Sequence, residues 1–208
     1  MDADTTLTVV KLGGSHAFTA HLRSWLTALA ECRDHVVVVP GGGPFADMVR
    51  SAQRRMGFDD RAAHHMALLA MEQYGCALAS LEPSFVLAAT PETIAAVRGH
   101  GVAVWTPTAM ALAADDIAMS WDVTSDSLAA WLAPRIGASR LLLVKAIAVP
   151  SPRVAAADLV AAGLVDPQFP RMLAASGVSA FVTGPEDPAT VADALRAGRA
   201  PGTAIDPR

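Results

Sequence analysis

Short runs that are apolar at most positions alternate along the chain with longer stretches in which apolar residues recur every three or four positions. The continuous runs are Leu7–Leu12 ("LTVVKL"), "HVVVVP", "SFVLAA", "VAVWTP", "RLLLVKAIAV" and "VSAFVTG", the pattern of strands buried on both faces. Between the first two, Phe18, Leu22, Trp25, Leu26 and Leu29 fall on one face of a helix. Phe45, Met48 and Val49 open another, with Pro44 suited to its first turn. Asp59 or Asp60 is placed to cap a long helix reaching about Leu81, and a short helix begins near Pro91. "SWDVTSDSLAAWLA" starts a helix running through about Arg135, with Thr124 or Ser125 as its cap, and "DPATVADALRAG" is the last helix, stopped by Gly198. Arg153–Asp166 reads as irregular with some helix, and "RAPGTAIDPR" as a tail that adds a short edge strand.

This alternation predicts the α/β class, as a three-layer α/β/α sandwich with a mostly parallel central sheet. No internal repeat, low-complexity tract or long linker interrupts it, and 208 residues suit one domain, so a single domain over residues 1–208 is expected.

Composition adds an expectation of assembly. The chain is 52% hydrophobic and only 17% charged, against roughly 25% charged in ordinary soluble domains, so a homo-oligomer, a dimer or higher, is expected. A net charge of -4 and a pI near 5.8 argue against nucleic acid as a partner. No apolar run is long enough for a membrane span and no secretory signal is apparent. Cys32 and Cys76 form neither a disulfide framework nor a zinc pattern. A cytoplasmic protein with no resident metal site is the expectation.

The chemistry concentrates at two glycine-rich turns that follow the first two strands: "KLGGS", Lys11 to Ser15, and "VPGGGPF", Val39 to Phe45. Ligands of open α/β sheets bind beyond the carboxyl ends of the strands. There, glycine lets backbone amides approach an anion closely, and the following helix N-terminus favours phosphate. Gly13, Gly14, Ser15, Gly41, Gly42 and Gly43 are therefore candidate phosphate-binding residues. Neither turn fits a P-loop or a standard dinucleotide motif. Of the 16 basic residues only Lys11 and Lys145 are lysines. A lysine at the end of an apolar strand, in a chain that otherwise uses arginine, suits a compact point charge aimed at a phosphoryl group. Asp126 lies in the first turn of its helix, where the dipole already favours a carboxylate. Asp122 has no role that its position supports.

These pieces together resemble the amino acid kinase family. The resemblance rests on Lys11-Leu12-Gly13-Gly14-Ser15, on Gly41-Gly42-Gly43 and on Thr124-Ser125-Asp126, in that order. Within the family, "SWDVTSDSLA", "AAHHMALLAMEQYG" and "GVSAFVTGPEDPATVADALRAG" are most similar to the branch that phosphorylates an aminomethylfuran-methanol phosphate in methanofuran-type one-carbon cofactor synthesis. The resemblance implies a small-molecule kinase using ATP and Mg²⁺ on a small phosphate-monoester acceptor. It makes Lys11 and Asp126 catalytic: Lys11 contacts the transferred phosphoryl, and Asp126 orients that lysine and organises the magnesium nucleotide. Thr124, Ser125 and Lys145 fall on the nucleotide side. Relatives commonly carry a T-D-V-D-G-type segment there, whereas Val144–Pro152 reads "VKAIAVPSP", without an aspartate. Lys145 either supplies a second phosphate contact or caps the end of a strand. That departure keeps open a member that binds nucleotide or anion without turnover; a kinase of the family acting on a carboxylate or another phosphate is the other alternative.

Around the acceptor, at most one of the adjacent His64 and His65 can face a ligand. One is expected to be buried and hydrogen-bonded, the other on the surface or at a subunit contact. One of Arg50, Arg54, Arg55 and Arg61 is expected to bind an acceptor phosphate, with the rest solvated. Met66, Met71 and Leu68–Leu69 read as core or a subunit face.

Overall fold

A computed structural model describes residues 6–147, 151–185 and 188–208. Its strands and helices, in chain order, are β1 (Thr8–Leu12), α1 (His21–Ala30), β2 (Val36–Pro40), α2 (Gly43–Met56), α3 (Asp60–Leu81), β3 (Phe85–Ala88), α4 (Pro91–Val97), β4 (Val102–Trp105), α5 (Thr108–Leu112), α6 (Ser125–Arg135), β5 (Arg140–Val144), β6 (Arg153–Ala155), α7 (Ala156–Ala161), α8 (Phe169–Ser176), β7 (Ser179–Thr183), α9 (Pro188–Arg196) and β8 (Thr203–Asp206). All eight strands join one sheet in the order β3-β4-β2-β1-β5-β7-β8-β6. Every pairing is parallel except β7 with β8. The mostly parallel sheet with helices on both faces is the layered α/β arrangement that the hydrophobic pattern predicts.

Strand periodicity divides the core. Along β1, Val9 packs with α6 and α8 on one face, while Val10 and Leu12 pack with α1 and α9 on the other, because successive side chains point to opposite sides. The long helix α3 serves both: Leu68 and Met71 join the first cluster, Tyr74 and Leu78 the second. Helix α6 is buried from Ser125 through Ala133, as expected of a helix enclosed by sheet and by α8 rather than facing water.

Several expectations need correction. Phe18 precedes α1 and is 88% exposed, so the apolar face of that helix begins at Leu22. Phe45 and Met48 are exposed on α2, whose buried residues are Ala46 and Val49; the small alanine gives the weaker hydropathy signal but fits the close contact with α3. The strand at "RLLLVKAIAV" stops at Val144, and residues 148–150 of that stretch lie outside the described residues. The stretch Arg153–Asp166 contains β6 as well as α7, and the sequence reading missed the short helices α5 and α8. β8 is not the edge strand: it lies between β7 and β6, and β6 takes the edge. Asp59, not Asp60, caps α3, its carboxylate accepting from Ala62 N at 2.8 Å. No helix among the described residues is long and apolar enough to cross a membrane.

Candidate active site

β1 and β2 are parallel neighbours in register, Lys11 beside Val39 and Leu12 beside Pro40, so their two glycine turns leave the sheet side by side. They touch backbone to backbone. A Cβ built on Gly14 would stand 2.2 Å from Gly43 N, and one on Gly41 would stand 2.4 Å from Gly14 N. Any side chain at either position would force the two turns apart. The turns are tied by Gly41 N donating to Leu12 O at 2.9 Å.

β5 flanks β1 on its other side, pairing Lys11 with Leu143 and Leu12 with Val144. Lys11 shares the face of Val9, and Lys145 follows Leu143 by two, so both lysines point to the side covered by α6. There they meet one carboxylate. Asp126 Oδ1 lies 2.9 Å from Lys11 Nζ and 2.8 Å from Lys145 Nζ, all three side chains being at most 10% exposed. Gly13 closes the cluster from above, since a Cβ on it would stand 3.5 Å from Lys11 Nζ. Burial alone would push the Asp126 carboxyl up, but Lys11 and Lys145 outweigh it and hold its pKa below the ordinary value. Lys145 is the strained partner: burial, then Lys11 beside it, outweigh Asp126 and bring its pKa down to about 8. Two cations on one anion leave an excess positive charge against a wall of glycine amides, an arrangement that a phosphate chain would neutralise.

One cavity of about 510 Å³ opens over this cluster, within the usual range for small-molecule sites. Lys11, Asp126 and Lys145 line it, with Gly13, Gly14 and Ser15 from the first turn and Gly41, Gly42 and Gly43 from the second. Thr124 and Ser125 complete its floor at the start of α6. The candidate catalytic, phosphate-binding and nucleotide-side residues taken from the sequence therefore line one cavity.

A sequence profile of the amino acid kinase family matches residues 6–148. The chain belongs to the amino acid kinase family. It is similar to the [5-(aminomethyl)furan-3-yl]methyl phosphate kinase of Methanocaldococcus jannaschii, with 24% identity over 137 residues that cover 65% of this chain. That alignment spans 63% of the relative's own length. The fold is similar to that of uridylate kinase from Archaeoglobus fulgidus, at a TM-score of 0.73 and 20% identity, covering 97% of this chain and 100% of that one. UMP kinase from Ureaplasma parvum gives a TM-score of 0.67 at 14% identity, over 98% and 100% of the two chains.

Other side chains depart from expectation within this family frame. Lys145 does not cap the end of β5; its ammonium goes to Asp126. Ala146 and Ile147 after it bring apolar side chains to the cavity, which Gly163 and Leu164 also line. Thr124 occupies the cap position of α6 but makes no side-chain cap. Its hydroxyl instead donates to Asp166 Oδ2 at 2.8 Å. Asp122 is exposed, in keeping with its lack of a role.

On the other side, Arg50 reaches the cavity with its guanidinium 4.3 Å above the Trp121 ring, while Arg54, Arg55 and Arg61 are exposed. Trp121 is held in turn by its Nε1 donating to Gln53 Oε1 at 2.7 Å. His64 is buried and lines the cavity, with Nε2 lacking a hydrogen-bond partner, and His65 is exposed. The expected hydrogen bond is therefore absent at that nitrogen, and burial, then His65, keep the His64 pKa low. Leu68 and Met71 belong to the core and also line the cavity; Met66 and Leu69 are exposed.

Sequence reasoning missed Trp121, His16 and Asp166. His16 is fully buried just after the first glycine turn, and both its ring nitrogens lack hydrogen-bond partners. Burial, then Lys11, lower its pKa. The run of hydroxyl residues at Thr124, Ser125 and Ser127 was the available hint of an outside acceptor, but nothing local identifies Asp166 as that acceptor.

Proposed function

We propose that the chain is an ATP-dependent kinase that phosphorylates a small phosphate monoester, with [5-(aminomethyl)furan-3-yl]methyl phosphate as first candidate. The observation that carries this reading is the buried Lys11–Asp126–Lys145 cluster beneath two touching glycine turns. Phosphoryl transfer asks the protein mainly for positioning and charge neutralisation. In the proposed reaction an ionised oxygen of the acceptor phosphate attacks the γ-phosphorus of ATP. The bond from that phosphorus to the β–γ bridging oxygen breaks, and ADP leaves. Lys11 and Lys145 hold the transferred group's oxygens, Asp126 holds the two lysines apart, and the amides of the glycine turns face the phosphates. Thr124 and Ser125 border the nucleotide. No general base is needed, because the attacking oxygen is already ionised at neutral pH.

The donor set suits a nucleotide phosphate chain. No group of three His, Cys, Asp or Glu capable of holding a metal assembles among the described residues, and the carboxylates lining the cavity are Asp47 and Asp126. Magnesium commonly binds through substrate phosphates with one or two carboxylates. It would therefore enter on the nucleotide, with Asp126 the carboxylate at the reaction centre, and would supply further neutralisation of the phosphates. With ATP as donor, the reading places the protein in the cytoplasm. Exposed Met66 and Leu69 on α3, and Val86 and Leu87 on the edge strand β3, support a homo-oligomer.

The test is ATP consumption across a panel of small phosphates that includes the furan compound, with carboxylate acceptors as a comparison. Turnover confined to phosphate monoesters is expected. Tight ATP binding without turnover on any acceptor would replace the kinase with a nucleotide-binding protein, the reading favoured by the apolar wall at Ala146 and Ile147.

A further inference from the structure

The turn that carries Asp126 is held from a distance. Asp166 Oδ2 accepts from Thr124 N at 3.0 Å, from Thr124 Oγ1 at 2.8 Å and from Ser127 N at 3.0 Å, and Ser127 Oγ donates to Oδ1 of the same carboxylate. These contacts bracket Ser125 and Asp126 on both sides. Asp166 is only 6% exposed. The segment around Asp166 also borders the cavity, since Gly163 and Leu164 line it, and Gln168 N donates to Asp122 O at 3.1 Å, one residue from Trp121.

Helix stability alone does not call for this arrangement. A local Thr124 side-chain cap would stabilise the helix start without burying a charge, whereas a buried carboxylate bears a desolvation cost and adds a second negative charge near Asp126. Burial, and Asp126 nearby, push the Asp166 pKa up, while its bonds from Ser127 and Thr124 oppose that. The benefit is local to the cluster: four fixed donors hold rigid the turn that carries Asp126.

We propose that Asp166 is a positioning residue of the phosphoryl-transfer site, clamping Thr124 and Ser127 so that Asp126 Oδ1 stays between Lys11 and Lys145. The proposal rests on the kinase reading for its consequence in turnover, but the placement of the lysines can be tested without turnover. The chain has only two lysines, so reductive methylation across a pH series, read by peptide mass spectrometry, follows Lys11 and Lys145 individually. The titratable groups around Lys145 are Lys11, Asp126 and His16.

For Asp166→Asn, the amide cannot accept four bonds, the turn shifts, and the Lys145 reactivity midpoint moves to lower pH. With the active acceptor, kcat falls about 10- to 100-fold, as misplacement of a catalytic group typically causes, while KM for ATP changes by less than about threefold. Ser127→Ala, which removes one donor, gives a smaller change in the same direction, and Asp122→Ala changes neither readout. Ser127→Ala also keeps the test decisive if Asp166→Asn or Asp166→Ala fails to fold. Unchanged lysine reactivity in folded Asp166→Asn or Ser127→Ala protein overturns the proposal, as does an equal shift in Asp122→Ala. A wild-type protein inactive on every acceptor defeats the kinase reading alone, since lysine reactivity still decides the role of Asp166.

Discussion

The two ends of α6 hold charged clusters built on opposite terms. At the amino end Asp126 accepts both Lys11 and Lys145 in a buried cluster with one cation to spare. At the carboxyl end one cation meets one anion near the surface: Arg135 Nη2 lies 2.9 Å from Asp116 Oδ2, with the two side chains 37% and 58% exposed. There Trp131 Nε1 donates to both Asp116 oxygens, and the Arg135 guanidinium sits 3.8 Å over the Trp131 ring. The Trp131 hydrogen bond, with Arg135, holds the Asp116 carboxyl below its ordinary pKa against a small opposing effect of burial. The second cluster is balanced in the absence of any ligand and ties a loop to the helix. In the first, the direct contacts set two cations against one anion. Excess buried charge is costly to a resting protein, so its presence points to a ligand that supplies the missing negative charge.

The largest expected effect comes from breaking the unbalanced end. Lys11→Ala and Asp126→Asn are each expected to lower turnover by at least about 10²-fold. Steady-state ATP consumption checks this, and losses under about fivefold would remove the cluster from the chemistry.

Next, Lys145→Met should separate function from stability. Turnover is expected to fall roughly 10- to 100-fold, yet the ligand-free protein gains stability because one lysine and one aspartate remain as a matched pair. Calorimetry should show Tm rising by about 4–8 °C, from roughly 2 kcal/mol of relieved burial cost. A Tm that falls would mean the Asp126–Lys145 bond outweighs that cost.

The third effect is pH dependence. The folded pKa of Lys145, about 8, lies below its ordinary 10.5, so between these values the unfolded chain binds more protons than the folded one. Stability of the ligand-free protein should therefore rise with pH across that window. Over the same window kcat/KM should fall, as Lys145 loses its charge with a midpoint near pH 8. Denaturant midpoints and pH–rate profiles would show opposite slopes, and parallel slopes would contradict the assignment. Lys145→Arg should flatten the alkaline limb, because arginine stays charged.

The smallest effect belongs to the balanced end. Arg135→Ala is expected to leave kcat unchanged and to lower stability by no more than about 1 kcal/mol, as exposed pairs do. A change in turnover above about threefold would show that the two ends communicate along α6.

The strands were legible because a parallel sheet covered on both faces demands continuous apolar runs, as in Val36–Pro40. The glycine turns were legible for a related reason, since Gly14 and Gly41 leave no room for a side chain where the loops meet. Helices whose buried face is small or short gave less signal. Ala46 carries the buried face of α2, and hydropathy drew the eye to Met48, which faces out. β8 looked like an edge because it is last in sequence, but it pairs with both β7 and β6.

Residue types and periodicity by themselves determined the layered α/β fold and the two glycine turns and singled out the chain's two lysines, while the family resemblance added Asp126 as a candidate. They did so because burial imposes a period on strands and helices, and close backbone approach imposes glycine. Tertiary structure alone decided which groups meet. The register of β1 with β5 puts Lys11 and Lys145 on one face, and the cover of that face by α6 brings Asp126 between them. The clamp by Asp166 spans 42 residues, and the Arg50–Trp121 contact joins α2 to the loop before α6. No local pattern encodes such pairings, since they depend on strand order and on how helices cross the sheet.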